Sequence, residues 1–363
     1  MVINMGENGI GVRRVRDFGV VIGTMTPGVR NAITDVGGVT VGHCLLDEPE
    51  KGVHTGVTVV SPAAGSLFRD KITAAVSVFN GFGKSAGLMQ IEEKGTIETP
   101  IVLTGVSSVG LLYDALFRLE MEKNADICRS SGSVNPVICE CNDSFLNDAS
   151  ASRLGREHLD AALCSASADF EEGAVGAGRG MSCFGLKGGI GSASRVFEAA
   201  GRKFTVGVLV NANFGETSCL TIAGRHIGPS LAELLTKAYS SLERGSVIIV
   251  VATDAPMDSR QLKRLCKRTF IGVGRTGSFI GDGSGDVAVA FSTACRVPHA
   301  SPDGGLVHRE TLHEDHIDHF FKATAESTEE AVLNALIASD PLVGRDGNER
   351  RSLKEFLPKI LMN

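Results

Sequence analysis

Residues Glu243 to Asp254 read Glu-Arg-Gly-Ser-Val-Ile-Ile-Val-Val-Ala-Thr-Asp. A helix-compatible run rich in Leu, Ala and Lys stops at Gly245, a Ser follows, and five β-branched residues come in succession before an Asp-Ala-Pro turn. That pattern is a buried strand with Ser246 at its first position. In an intact chain Ser246 is an ordinary strand-initiating residue. Cut between Gly245 and Ser246, the same residue carries a nucleophilic hydroxyl and a free amine able to activate it.

Around this strand the chain alternates strand and helix signals. Gly-rich, β-branched text from Ile33 to His43 and from Gly56 to Val60 reads as short strands. Asn80-Gly81-Phe82-Gly83-Lys84 is a loop that opens a helix through Gln90, Pro100–Leu103 is a strand, and Gly110–Lys123 is a helix. Pro136–Cys141 is a strand followed by the polar Asn142-Asp143-Ser144, and Asn147–Ser165 suits a helix capped by Asp148. Strand Phe204–Val210 runs into Asn211-Ala212-Asn213. Helix Pro229–Ser240, basic helix Arg260–Arg268 and strand Val287–Ser292 follow. Continuous and alternating strands interspersed with helices point to layered sheets covered by helices. There is no 20–50-residue repeat and no low-complexity linker, so one unit of 363 residues is expected rather than two.

Composition narrows the function. A net charge of -6 offers no basic field for nucleic acid. No apolar run reaches the roughly 18 residues of a membrane span, and Met1–Asp17 lacks the apolar core of a secretory signal. Only Cys139 and Cys141 of the nine cysteines lie close in sequence, a poor metal signature, so the thiols are expected to be reduced in a cytoplasmic protein. The glycines from Gly176 to Gly191 mimic dinucleotide spacing. The flanking βαβ unit and acidic residue are missing, and close backbone approach is the better reading. His308, His313, His316 and His319 do not form a His-Glu-x-x-His pattern and read as a solvated helix face. The stripe Arg260, Lys263, Arg264, Lys267 and Arg268 reads as a solvated or subunit-facing surface. No metal and no organic cofactor are called for.

Five blocks, taken together and in order, carry a resemblance: Gly105-Val-Ser-Ser-Val-Gly110, Gly176-x-Gly-x-Gly-Met181-x-Cys183-Phe184-Gly185-x-Lys187-Gly188-Gly189, Asn213-Phe214-Gly215, Gly245-Ser246 and Gly283-Ser284-Gly285-Asp286. The chain resembles the DmpA/BapA family, the L-aminopeptidase/D-amidase/D-esterase and β-peptidyl aminopeptidase enzymes of peptidase family S58. The resemblance implies an α-β-β-α sandwich similar to N-terminal nucleophile hydrolases but with different strand connectivity. It also implies self-cleavage at Gly245-Ser246 into chains 1–245 and 246–363, and a homo-oligomer of such αβ units.

The chemistry implied is acyl transfer to Ser246. A free α-amine has a reference pKa of roughly 7.7–8.0 and can take the hydroxyl proton, whereas the amide nitrogen of an intact chain cannot. By the same resemblance Ser284 and Asp286 form a relay with the nucleophile. Asp286 is one methylene shorter than the Glu often found there. Asn213 is expected to donate to the developing oxyanion, with Asn211 second. Glu140 is expected to receive the substrate ammonium, beside Asn142, where many relatives have Tyr. The expected substrates are small peptides, amides or esters. The rival readings are an acyltransferase resembling ornithine acetyltransferase, which would use Thr rather than Ser246, and a homologue that stays uncut and serves without catalysis.

Overall fold

The computed structural model describes residues 14–235 and 245–362. The fold follows from the demand of the central strand for cover on both faces. β13 (Ser246–Thr253) is buried at every position. Val247, Ile249 and Val251 point into one apolar cluster and Ile248, Val250 and Ala252 into another. A strand with two buried faces has no polar alternation to show, so its sequence is continuously apolar.

β13 lies inside a six-stranded sheet of order β4-β3-β14-β13-β10-β9. Its members are β3 (Asp70–Gly81), β4 (Thr96–Ile97), β9 (Gly189–Ala199), β10 (Arg202–Asn213) and β14 (Gly285–Pro298). β13 runs antiparallel to β10 and parallel to β14. A second sheet of order β1-β2-β5-β6 comprises β1 (Thr40–Glu48), β2 (Val53–Ser61), β5 (Ile101–Gly105) and β6 (Val137–Cys141). Two-residue ladders β7 (Ser182–Cys183) with β8 (Leu186–Lys187), β11 (Thr221–Ile222) with β12 (Arg225–His226), and β15 (Leu342–Val343) with β16 (Glu349–Arg350) decorate the connections.

The two sheets pack face to face through Val41, Ile101, Cys139, Leu209, Ile248 and Val289, among others. Outside the smaller sheet, Val57, Val102 and Ile138 meet α2 (Val109–Lys123) and α3 (Arg156–Cys164). Outside the larger sheet, α5 (Ser259–Arg275) and α6 (Ile317–Ala338) cover Val206, Val247 and Ala288. The result is four layers, α-β-β-α, as expected. Shorter helices α1 (Leu88–Lys94), α4 (Gly228–Leu234) and α7 (Leu357–Met362) close the margins. Among the described residues no helix is long and apolar enough to cross a membrane.

Several boundaries differ from those expected of the sequence. The Asn80 loop does not open a helix at once: β3 runs to Gly81, and α1 starts only at Leu88. The helix expected over Asn147–Ser165 begins at Arg156. Asp148 caps only a turn, accepting from the Ser150 N–H and hydroxyl at 2.9 and 2.6 Å. The strand expected over Phe204–Val210 is longer at both ends, so that Asn211 and Asn213 belong to the end of β10. The basic helix extends to Arg275, started by Asp258, whose carboxylate accepts from the Gln261 N–H at 2.7 Å. The later half of the helix expected over Pro229–Ser240 lies outside the described residues.

Candidate active site

Strand register assembles the site at one end of the larger sheet. Ser246 opens β13 and sits opposite Asn213, the last residue of β10, on one side and Gly285, the first residue of β14, on the other. Its side chain shares the face of Ile248, so it points between the two sheets, where the end of β6 approaches.

Two N–H groups converge on the Ser246 hydroxyl, which belongs to a residue only 3% exposed. The main-chain N–H of Asn142 donates to Oγ at 3.2 Å and Asn213 Nδ2 donates at 3.3 Å. Which end of the Asn213 amide faces Ser246 is fixed by its other bonds. Oδ1 accepts from the Ser182 N–H at 2.9 Å, and Nδ2 also donates to the Asn142 carbonyl at 3.0 Å.

Asn142 therefore meets Ser246 through its backbone. Its own side chain is turned back, accepting from the Ser144 N–H at 3.1 Å. Asn211, expected as the second donor, lies two residues further down the same face, opposite Ile248. Fully buried, it has neither amide atom hydrogen-bonded among the described residues, and it does not reach Ser246.

Glu140 is buried next to the end of β6 and accepts from the Lys84 N–H at 2.8 Å through Oε1. Its Oε2 is buried and has no hydrogen-bond partner among the described residues. Burial raises the pKa of this carboxyl against the opposing pull of Lys84. A buried carboxylate oxygen left unpaired is costly unless something cationic arrives to meet it.

Ser284 donates to Asp286 Oδ1 at 2.7 Å, and both residues are buried. The pair flanks Gly285, whose N–H donates to the Gly245 carbonyl at 3.2 Å. Ser284 and Asp286 are thus level with the Gly245-Ser246 peptide bond. The shorter carboxylate still spans the distance to Ser284. Gly245 is confined: a Cβ there would lie 2.2 Å from the Asn213 carbonyl oxygen and 2.7 Å from Phe214 Cα, both backbone atoms.

The Gly-rich segment is a wall of this site. Lys187, fully buried, donates to the carbonyls of Gly178, Met181 and Gly188 at 3.0, 2.9 and 2.7 Å. Burial drives its pKa well below the ordinary lysine value. Its only amine is committed to main-chain carbonyls, and a Cβ at Gly178 would stand 2.6 Å from the Gly173 carbonyl oxygen. The glycines serve close backbone approach rather than a phosphate cradle.

Among the described residues no group of His, Cys, Asp and Glu is placed to hold a metal, the histidines near His313 included. The basic stripe is largely spent within the chain. Arg260 and Arg264 pair with Glu314, Lys263 pairs with Glu92, and Arg268 lies 3.8 Å over the Phe321 ring. No disulfide joins any of the nine cysteines, all of which lie among the described residues, and five of them are buried.

Sequence reasoning missed three supports: the Asn142 N–H, the Ser182 N–H that orients Asn213, and the Lys84 N–H that holds Glu140. All are backbone donors, which no side-chain motif announces. Lys84 at least falls within a loop that the glycines mark.

Known proteins resemble this chain in sequence and fold over most of its length. The model of peptidase family S58 matches residues 31–350. The chain is 41% identical over 354 residues to the β-peptidyl aminopeptidase BapA of Sphingosinicella microcystinivorans, covering 92% of this chain and 88% of that protein. The solved structure of a Burkholderia sp. β-aminopeptidase superposes with a TM-score of 0.88 at 39% identity, covering 96% of this chain and 98% of the other. The L-aminopeptidase D-Ala-esterase/amidase of Ochrobactrum anthropi does so with a TM-score of 0.88 at 35% identity and the same coverage. That enzyme is described as a prototype for the serine aminopeptidases and a new variant among the Ntn hydrolase fold. With family, sequence and fold in agreement over most of the chain, it belongs to peptidase family S58, as a hydrolase of the aminopeptidase kind.

Proposed function

We propose that this chain is a self-processing serine aminopeptidase and amidase whose nucleophile is Ser246. The observation that carries the reading is the buried Ser246 hydroxyl under two N–H donors, directly after a glycine whose site excludes any side chain. In the intact chain Ser246 Oγ attacks the Gly245 carbonyl carbon, the Gly245–Ser246 C–N bond breaks and the hydroxyl proton passes to the departing Ser246 nitrogen, leaving an ester on Oγ and a free α-amine. Water then releases residues 1–245 and leaves Ser246 as the N-terminus of residues 246–363. The Gly285 N–H on the Gly245 oxygen supports that attack by stabilising the charge it develops.

After cleavage the new α-amine takes the proton of Oγ as Oγ attacks the substrate carbonyl. The Asn142 N–H and Asn213 Nδ2, which donate to Oγ before attack, pass to the neighbouring oxyanion as Oγ bonds to the carbonyl carbon. The amine returns the proton to the leaving group, and a water molecule hydrolyses the acyl-enzyme. The Ser284–Asp286 pair, level with the new N-terminus, orients that amine. The vacant Oε2 of Glu140 takes the substrate ammonium, which limits the enzyme to substrates with a free amino end: small peptides, amides or esters. Because Asn142 contributes main chain only, Asn in place of Tyr leaves the oxyanion donor intact.

Ser246→Ala tests this directly. The variant is expected to fold, to remain uncut and to release no product from amino-acid p-nitroanilides. An uncut Ser246→Ala protein with wild-type activity would refute the mechanism.

A further inference from the structure

We propose that Asp143 is a positioning residue for this reaction: its buried carboxylate, held by Thr55 and Asn147, fixes the loop whose Asn142 N–H donates to Ser246. The inference rests on the serine reading of the site given above. Asp143 follows Asn142 directly and is fully buried. Its Oδ2 accepts from Thr55 Oγ1 at 2.7 Å and from Asn147 Nδ2 at 3.1 Å. Its carbonyl accepts the N–H groups of Leu146 and Asn147 at 3.1 and 3.0 Å. Asn147 Oδ1 in turn accepts the His54 N–H at 2.9 Å. Main chain and side chain of Asp143 are therefore both tied down, and the ties lead to β2, an interior strand of the smaller sheet paired on both sides.

The carboxylate is also boxed in. A Cβ at Gly105 would lie 2.2 Å from Asp143 Oδ2, and one at Gly180 would lie 2.7 Å from Asp143 Cβ. Its second oxygen, Oδ1, is buried with no hydrogen-bond partner among the described residues. Burial pushes this carboxyl up to about 6. An under-satisfied buried carboxylate costs stability that an apolar residue would not. What it supplies is aim. Asn142 sits between Asp143 and the β6 ladder, so both its neighbours are fixed, and its N–H cannot swing from Ser246. A misplacement of about 1 Å in such a donor costs on the order of 100-fold in rate.

Thr55→Val tests the inference without touching the site, since it keeps the shape and removes only the hydroxyl on Asp143. With the matured enzyme and an amino-acid p-nitroanilide, we expect kcat to fall about ten- to 100-fold with KM within about twofold, as for a donor that acts in the transition state. Thr55→Ser, which keeps the hydroxyl, should recover kcat to within about threefold. Asp143→Asn should lose at least as much as Thr55→Val, and the double variant should lose no more than Asp143→Asn alone, because both act through one network. If Thr55→Val keeps kcat within about twofold while the wild type is acylated on Ser246, the positioning role is wrong and the serine reading stands. A change confined to KM would overturn the positioning role in the same way. If the wild type itself is never acylated on Ser246, the serine reading falls, and this inference with it.

Discussion

The Asn213 side chain is the point at which the site can be weakened with least damage to the fold. Its amide makes three bonds: from the Ser182 N–H at 2.9 Å, to the Asn142 carbonyl at 3.0 Å and to Ser246 Oγ at 3.3 Å. Asn213→Ala removes all three. The loss of an oxyanion donor should lower kcat about 100- to 1000-fold, or roughly 3–4 kcal/mol of transition-state stabilisation. The loss of neutral hydrogen bonds should lower stability by about 1 kcal/mol each, up to about 3 kcal/mol where a buried partner is left unsatisfied and less at the partly exposed Ser182. Asn213→Asp separates the two effects. The new carboxylate keeps the shape and still accepts from Ser182. Its second oxygen, however, replaces a donor 3.0 Å from the Asn142 carbonyl and 3.3 Å from Ser246 Oγ. The aspartate should therefore fold but lose as much activity as the alanine, or more. The assay is single-turnover release of p-nitroaniline at pH 8, with the cut fraction counted by mass so that slow maturation is not mistaken for slow catalysis. An aspartate variant within about threefold of the wild-type kcat would refute the role given to Asn213.

Other consequences are as specific. Glu140→Gln can still accept from Lys84 but cannot offer a charge to an ammonium. kcat/KM on free-amine substrates should fall about ten- to 100-fold, the worth of a charged hydrogen bond, and unchanged kcat/KM would remove Glu140 from that role. Gly245→Ala would place a methyl 2.2 Å from the Asn213 carbonyl oxygen. Self-cleavage followed by mass should slow at least about tenfold, since a displacement of this size spoils attack geometry, and wild-type kinetics would show that the Gly245 contacts do not matter. Glu172 bonds Arg14 at 2.8 Å, and burial raises its carboxyl to about 7. A raised native pKa means that the folded state binds more protons than the unfolded one between about pH 4.5 and 7, so stability falls as pH rises through that window, by up to about 3 kcal/mol. Glu172→Gln should flatten this part of the pH–stability curve measured by urea unfolding, and an unchanged slope would contradict the assignment.

Much of this molecule is legible in its sequence because burial leaves strong marks. The unbroken apolar text of Val247–Val251 follows from cover on both faces of β13, whereas Ser246 at its start is an ordinary strand-initiating residue until the family blocks are read with it. Ser284, Asp286, Asn213 and Glu140 are legible only through the family blocks, since no local pattern distinguishes them from turn or edge residues. Register brings Asn213, Ser284 and Asp286 to one end of the larger sheet, while Glu140 comes from β6 of the smaller sheet packed against it. Asn211 reads as an alternative donor because side-chain identity does not say how deep along a strand a residue lies. Asn142 attracts notice for its side chain, whereas its main chain is what meets Ser246. Backbone donors and the Asp143 network depend on tertiary contacts between β2, β6 and β10, and no spacing in the chain encodes them.

Everything assigned to Ser246 depends on whether the Gly245–Ser246 bond breaks. Intact mass of freshly purified protein, with N-terminal sequencing of any fragments, decides it. The mechanism predicts two chains, the smaller beginning Ser-Val-Ile-Ile-Val. A single species of 38.1 kDa that persists on incubation would contradict it.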